Sequence, residues 1–285
     1  MEWLERLNMA VDYIEQNLEG DIELERLARI ACCSSFHFQR MFSYIAGIPL
    51  SEYIRRRRMS TAAFALQQGG KVIDIALTYG YDSPTAFSRA FRSVHGLSPS
   101  EARRQGAPLK AWPPISFRMT IKGDTEMNYR IEQKEAFRIV GAMQHFDMAL
   151  GDGFEKVPQF WAQTTQSGMV QQLCALPAKE PCGLLGVTTC MDGRDFDYYI
   201  ALATDAPALE GMAEYTVPAC TWAIFECVGA MPQAIQQLQS RIISEWLPSS
   251  GYEYADAPDI EVYPEGDTQS PDYRCEVWLP VRKAK

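Results

Sequence analysis

Two pairs of neighbouring side chains, Gln39-Arg40 and Ser88-Arg89, lie about fifty residues apart and carry the hydrogen-bonding groups that base edges accept. An arginine can span O6 and N7 of guanine, an amide suits adenine, and an aromatic edge packs on a thymine methyl. A second chemistry stands near the other end of the chain. Over residues 274–281, strand alternation sends Glu276 and Trp278 to one face, and Cys275, Val277 and Leu279 to the other. A carboxylate set among rings attracts an organic cation through charge and through the ring faces. Trp161, Tyr199 and Trp222 supply further rings that could converge there.

The first pair needs helices to present it, and the apolar spacing provides them. Trp3, Leu4, Leu7, Val11, Ile14 and Leu18 recur at helical intervals and Gly20 ends the run. Leu24, Leu27, Ala28 and Ala31 predict a short helix, and a break at Cys33-Ser34 follows. A second helix starts at Ser35, with Ser34 as N-cap. Phe38, Met41, Phe42 and Ile45 form its buried stripe, leaving Phe36, His37, Gln39 and Arg40 on the outward face. Two short helices about a tight turn make a helix-turn-helix pattern.

The pattern then repeats. After Gly69-Gly70 come a short helix around Ile73, Ile75, Ala76 and Leu77, a turn at Gly80, a cap near Ser83, and Phe87, Phe91 and Val94 as a second buried stripe. Between the copies, residues 52–67 read as one helix with an arginine run, Arg55 to Arg58. Such a rod of about 15 residues is roughly 23 Å long. It would set two recognition helices for successive major grooves, about 34 Å apart.

Charge divides the chain at the same place. Residues 1–112 carry 14 Lys and Arg against 12 acids, whereas residues 113–285 carry 13 against 24, so the net charge of −9 is concentrated in the second part. Within residues 26–110 there are 13 basic residues and four acids. A basic segment joined to an acidic one suits a polyanion on one side and neutral or cationic molecules on the other. The amphipathic, acid-bearing start lacks the form of a secretory signal, and no run reaches the ~18 apolar residues of an ordinary membrane span. The expectation is a soluble, cytoplasmic chain. Eight cysteines without a C-x-x-C, and three distant histidines (His37, His95, His145), give no metal set, so no cofactor is expected.

The residues from Asp21 to Arg104 resemble the DNA-binding domain of the AraC/XylS family. The resemblance rests on Ile75-Ala76-Leu77-Thr78-Tyr79-Gly80-Tyr81, on Phe87-Ser88-Arg89-Ala90-Phe91-Arg92, and on Gly96, Ser98 and Pro99. The first motif, Ser34 to Phe42, resembles the MarA/SoxS/Rob branch. The resemblance implies that Phe36, Gln39 and Arg40 face the groove from the first recognition helix, and Thr85, Ser88 and Arg89 from the second. Pro84 departs from the branch, which often has a polar base reader there, so the second motif would lean more on phosphates.

Beyond residue 105, the expected organisation is a linker over 106–126 containing a strand at 115–121, then an α+β domain over 127–285. Strand-like segments at 129–131, 137–143, 183–190, 197–203, 213–217, 221–228, 259–263 and 274–281 flank helical runs at 154–173 and 231–247. Strand-strand-helix-strand-strand thus occurs twice, which predicts pseudo-twofold symmetry and a crevice for a ligand. Residues 114–123, Tyr129 to Glu132, Phe137 to Gly141 and above all Cys275 to Val281 resemble the GyrI-like effector domain. The resemblance implies that Glu276 sits in the ligand cavity.

The fold class expected is therefore an all-α double helix-turn-helix domain followed by an α+β GyrI-like domain. The function expected is a sequence-specific DNA-binding transcription regulator responsive to an amphipathic cationic or aromatic small molecule. Its partners would be double-stranded operator DNA, that effector, and RNA polymerase. Two alternatives come from relatives of the effector domain: hydrolysis of strained electrophilic small molecules, with a glutamate as general base, and sequestration of another protein. The chain has no nucleophile elbow, metal set or phosphate loop, so the regulator is the leading expectation and no enzymatic role is assigned.

Overall fold

Serine caps and left-handed glycines fix the helix boundaries in the first third of the chain. In the computed structural model, residues 3–118, 126–147, 152–190 and 195–284 are described. They divide into two compact units, residues 1–31 with 48–118, and residues 32–47 with 119–285.

The first unit is helical. It comprises α1 (Trp3–Gln16), α2 (Leu24–Ala31), α4 (Leu50–Gln67), α5 (Val72–Thr78), α6 (Pro84–His95) and α7 (Pro99–Ala102). Leu7, Val11 and Ile14 of α1, Leu27 of α2, Met59, Ala62 and Leu66 of α4, Ile75 of α5, and Phe87 and Phe91 of α6 are buried at the spacing that the apolar pattern predicts. Ser83 accepts from the Ala86 amide at 3.1 Å and caps α6, with Pro84 in the first turn where its missing N–H costs nothing. Ser98 and Glu101 form a reciprocal capping box on α7.

The arginine run of α4 is turned largely inward. Arg57 holds Glu15 through Nε and Nη2, at 2.7 Å for the shortest pair, and also donates to the Trp112 carbonyl. Arg58 donates to the carbonyls of Leu18 at 3.0 Å and Gly20 at 2.6 Å, and so closes the end of α1. Residues 110–118 form no strand. They are pinned instead by side chains, with the Trp112 amide on Ser60 Oγ, the Ile115 amide on the Tyr53 hydroxyl, and Phe117 paired to Asn8 through both its amide and carbonyl. The strand expected at 115–121 is therefore not formed at 115–118, and residues 119–121 lie outside the described residues.

The second unit is built on an antiparallel sheet. Its strands are β1 (Tyr129–Lys134), β2 (Phe137–Asp147), β3 (Leu184–Cys190), β4 (Asp195–Ala203), β5 (Ala213–Val217), β6 (Cys220–Val228), β7 (Tyr252–Tyr254), β8 (Asp259–Tyr263) and β9 (Arg274–Lys283). Their order is β1-β6-β9-β8-β3-β4-β2-β5, with β7 paired to β9. Read from either end, the order describes the same half twice: the first strand of each half has crossed to the edge of the other. The pseudo-twofold axis consequently passes between β8 and β3, where Glu261 lies opposite Gly186.

One face carries Trp222, Ile224, Trp278, Ile260, Val187, Tyr199, Ile139 and Val217 in a single buried cluster. Only Pro218 and Ala219 separate β5 from β6, although these strands lie near opposite ends of the order. Such a short connection brings the two ends together, so the sheet curls and this face closes on itself. The opposite face is covered by α8 (Asp152–Gln166) and α9 (Met169–Cys174) on one half, and on the other by α10 (Gln233–Arg241), a π turn (Ile242–Trp246) and α11 (Leu247–Ser249).

The same covered face also holds α3 (Ser35–Ala46), the first of the two helices expected to read DNA. Ser34 caps it as expected, accepting from the His37 amide at 3.2 Å, and Gly47 ends it at φ 70°. The expectation of one buried stripe and one outward face is corrected here: Phe36, His37 and Gln39 are buried along with Phe38, Met41 and Phe42.

Candidate functional site

Where α3 meets the sheet, residues Asp259, Glu261 and Tyr263 of β8 alternate onto the covered face. Glu261 lies at the centre. Its Oε2 accepts from the hydroxyls of Tyr198 and Tyr263, each at 3.0 Å, and its Oε1 accepts from Gln239 Nε2 at 2.6 Å. Trp161 of α8 adds an outer layer, donating from Nε1 to the Tyr198 hydroxyl at 3.0 Å. Burial first, and then the Glu261 charge, push the Tyr198 and Tyr263 hydroxyls well above their ordinary range, so both stay protonated as donors.

This convergence depends on Gly186. A Cβ built there would collide with the Tyr198 hydroxyl and lie 2.8 Å from Glu261 Oε2. The glycine leaves room for a carboxylate and a phenol to meet directly above the sheet.

A cation already stands in the site. Arg40 Nη1 donates to Asp259 Oδ2 at 2.6 Å, and the guanidinium lies 5.6 Å from the centre of the Tyr44 ring. Burial opposes the Arg40 charge, but Asp259 overcomes it, with Tyr44, Tyr254 and Glu261 adding to the same side, and the group is held charged more firmly than a free arginine. Burial holds Asp259 above the usual carboxylate range against the opposing pull of Arg40. Tyr44 donates to Gln239 Oε1, which links α3 to the Glu261 cluster. Ile242 and Ile243, adjacent residues of the π turn, both line the cavity with Val277 and Leu279. The free space left is about 10 Å³, no more than one water needs.

His37 is stacked on Tyr254 with ring centres 4.0 Å apart, and its Nδ1 lies 2.8 Å from the Ser34 hydroxyl. Burial, reinforced by Arg40, pushes its pKa down to about 3, so it is neutral at physiological pH. His95 is also structural: its Nδ1 accepts from the Lys110 amide at 3.2 Å and its Nε2 lies 3.0 Å from the Met59 carbonyl. Among the described residues, no group of three or more His, Cys, Asp and Glu side chains is arranged to hold a metal.

The five residues that the sequence points to for the ligand divide between the two faces of the sheet, four on the closed face and one on the covered face. Trp222, Trp278 and Tyr199 belong to the closed face, 0%, 3% and 6% exposed. Glu276 is on that face as well, paired to Arg130 at 2.9 Å and accepting from Trp278 Nε1 at 2.7 Å. Trp161 alone lies on the covered face, in the layer behind Tyr198. The residue that sequence reasoning passed over is Glu261. A usable signal was present, since Asp259, Glu261 and Tyr263 share one face of a strand already expected at 259–263.

The six residues considered for DNA divide by helix. Thr85 and Arg89 of α6 are exposed and Ser88 is half-buried, whereas Phe36 and Gln39 of α3 are buried and Arg40 is engaged with Asp259.

Comparison with known proteins matches residues 27–105 to a helix-turn-helix domain family and residues 127–282 to the GyrI-like small molecule binding domain. The right origin-binding protein of Escherichia coli strain K12 is 26% identical over 294 residues, covering 95% of this chain and 96% of that protein. The transcriptional activator AarP of Providencia stuartii is 45% identical over 89 residues, 31% of this chain and 66% of that protein. A solved structure of SAV2435 bound to tetraphenylphosphonium is 26% identical, with a TM-score of 0.50, and covers 55% of this chain and 94% of that one. Among the described residues, no helix is long and apolar enough to cross a membrane.

Proposed function

Since this chain belongs to the AraC family of transcription regulators and its residues 127–282 belong to the GyrI-like small-molecule-binding family, we propose that it senses a lipophilic organic cation at Glu261. The observation that carries this reading is a carboxylate on the pseudo-twofold axis, ringed by Tyr198, Tyr263 and Gln239, with Asp259 and Tyr254 beside it. Negative charge desolvated among rings favours a cation whose own hydration is weak. The similar protein that binds tetraphenylphosphonium supports the same ligand class.

Thr85, Ser88 and Arg89 on α6 are the base-edge contacts available in this form, with Phe36, Gln39 and Arg40 contributing when α3 is free. The partners are then operator DNA, the cation, and RNA polymerase, on which the bound regulator acts.

Calorimetric titration with tetraphenylphosphonium tests the ligand reading. Glu261→Gln keeps the shape and removes the charge, so affinity should fall by about tenfold or more, the cost of one charge-assisted contact. Glu276→Gln should change affinity by less than about twofold, the scale of an exposed ion pair. A wild-type affinity in Glu261→Gln together with a large loss in Glu276→Gln would move the ligand to the other face of the sheet.

A further inference from the structure

Resting on the Glu261 reading, we propose that Arg40 is the cavity's internal cation, so that an organic cation and the first recognition helix compete for one site. Three observations carry this. The Arg40 guanidinium sits 2.6 Å from Asp259 in a cavity also lined by Tyr254 and Glu261, and these groups outside α3 are the charge-and-aromatic chemistry that would hold an external cation. With Arg40 and Tyr44 in place only about 10 Å³ remains, so no organic cation enters unless α3 side chains leave. The same docking encloses Phe36, 1% exposed and edge-on to Phe196 at 5.9 Å, and Gln39, 6% exposed. A helix whose base-facing side chains are enclosed in this way cannot read a groove at the same time.

The coupling follows from that exclusion. A cation that binds only when α3 is undocked draws the population toward the free helix, and by reciprocity DNA that engages α3 opens the cavity to the cation. Cys32, at the turn preceding α3, has φ 56°, a left-handed conformation uncommon outside glycine, and Gly47 takes φ 70° at the other end. The helix is thus bounded on each side by a three-residue link that contains one left-handed residue.

The test is calorimetry with tetraphenylphosphonium on the full chain and on Arg40→Met, which keeps an apolar stem and removes the competing charge. Amide exchange of residues 36–45 is followed in the wild type with and without the cation. Arg40→Met should bind the cation about tenfold more tightly than wild type, because the competing state is lost. Saturating cation should speed α3 exchange by about fivefold or more while α6 amides stay unchanged. Should Arg40→Met fold poorly, Tyr44→Phe, which loses only the hydroxyl bonded to Gln239, should move cation affinity in the same direction by a smaller amount. Equal affinities in wild type and the folded variant, or α3 exchange indifferent to bound cation, would overturn the competition. Absence of binding in wild type and variant alike would instead overturn the Glu261 reading, and the competition with it.

Discussion

Ser34 and Ser83 cap the two expected recognition helices by accepting from the amide three residues on, His37 and Ala86, each one residue before the matched Phe38 and Phe87, and Gly47 and Gly96 end them in the same left-handed turn, but the surroundings of α3 and α6 are opposite. Lined up on Phe38 and Phe87, the helices agree in their buried stripes and differ on the other face. Phe36, His37 and Tyr44 of α3 stand where α6 has Thr85, Ala86 and Ser93. Those three aromatic groups give α3 a second face that can be buried, and it is buried against Phe196, Tyr254 and Gln239. The corresponding face of α6 stays exposed with Arg89. Duplicated sequence thus yields one helix with this face exposed and one with it held by the sheet domain, and the difference lies in side chains outside the shared motif.

The largest expected effect comes from breaking the ion pair that is unique to α3. Asp259→Asn strands a buried guanidinium, and removal of one partner from a buried pair costs about 3–5 kcal/mol. Exchange of α3 amides should then accelerate by on the order of a hundredfold or more, with α6 amides unmoved. Equal acceleration in both helices would mean that the variant unfolds globally and that α3 is not held separately.

Next comes Arg89→Ala, measured by anisotropy on a duplex enriched from a random pool by the wild-type chain. Loss of a bidentate base contact costs about 1–3 kcal/mol. Arg40→Ala should reduce affinity for the same duplex by less, because it removes a docking contact together with a base contact. A larger loss from Arg40→Ala would show that α3 is already free in the DNA-binding population.

Acid should separate the helices further. The folded pKa of His37, about 3, lies below the 6.5 of an unperturbed histidine. The stability contributed by its neutral ring is therefore complete above that unperturbed value and is lost as pH falls from there toward 3. The groups around it are Ser34 and Arg40 on α3, Tyr254 on β7, and Asp256 and Asp259 beyond it; of these Asp256 favours protonation, without offsetting burial and Arg40. After correction for intrinsic rates, α3 amides should be less protected at pH 5.5 than at pH 7.5. The His37→Phe chain should lose most of that dependence.

The smallest effect sharpens the comparison at the caps. Ser34→Ala and Ser83→Ala each delete an N-cap worth about 1 kcal/mol. Ser34 also faces His37 Nδ1 at 2.8 Å, so its loss should cost more in thermal unfolding than that of Ser83. Equal losses would assign the Ser34–His37 contact no net value.

Much of this architecture was legible because its determinants are local. Caps, left-handed glycines and apolar stripes located α3, α5 and α6, and alternation located Asp259–Tyr263 and Ala213–Val217 as strands. The duplicated strand and helix order likewise implied the twofold arrangement of the sheet. The burial of Phe36, His37 and Gln39 was not legible, since a face of rings and hydrogen-bonding groups suits a DNA groove and a protein cavity equally well. Nor was the choice between Glu261 and Glu276. Both acids occupy strands with an aromatic residue two positions away, and only the curl of the sheet decides that Trp278 and Glu276 turn toward the closed face while Glu261 turns toward the helices. Residues 115–118 misled for a related reason: an extended backbone satisfied by Asn8 and Tyr53 side chains has the same apolar and polar pattern as a strand.

The central claim is tested most directly by a crystal structure of the full chain grown with tetraphenylphosphonium. The prediction is a cation held against Glu261 between Tyr198 and Tyr263, with Arg40 withdrawn from Asp259. A cation bound beside Glu276 and Trp278, with the Arg40–Asp259 pair intact, would contradict it.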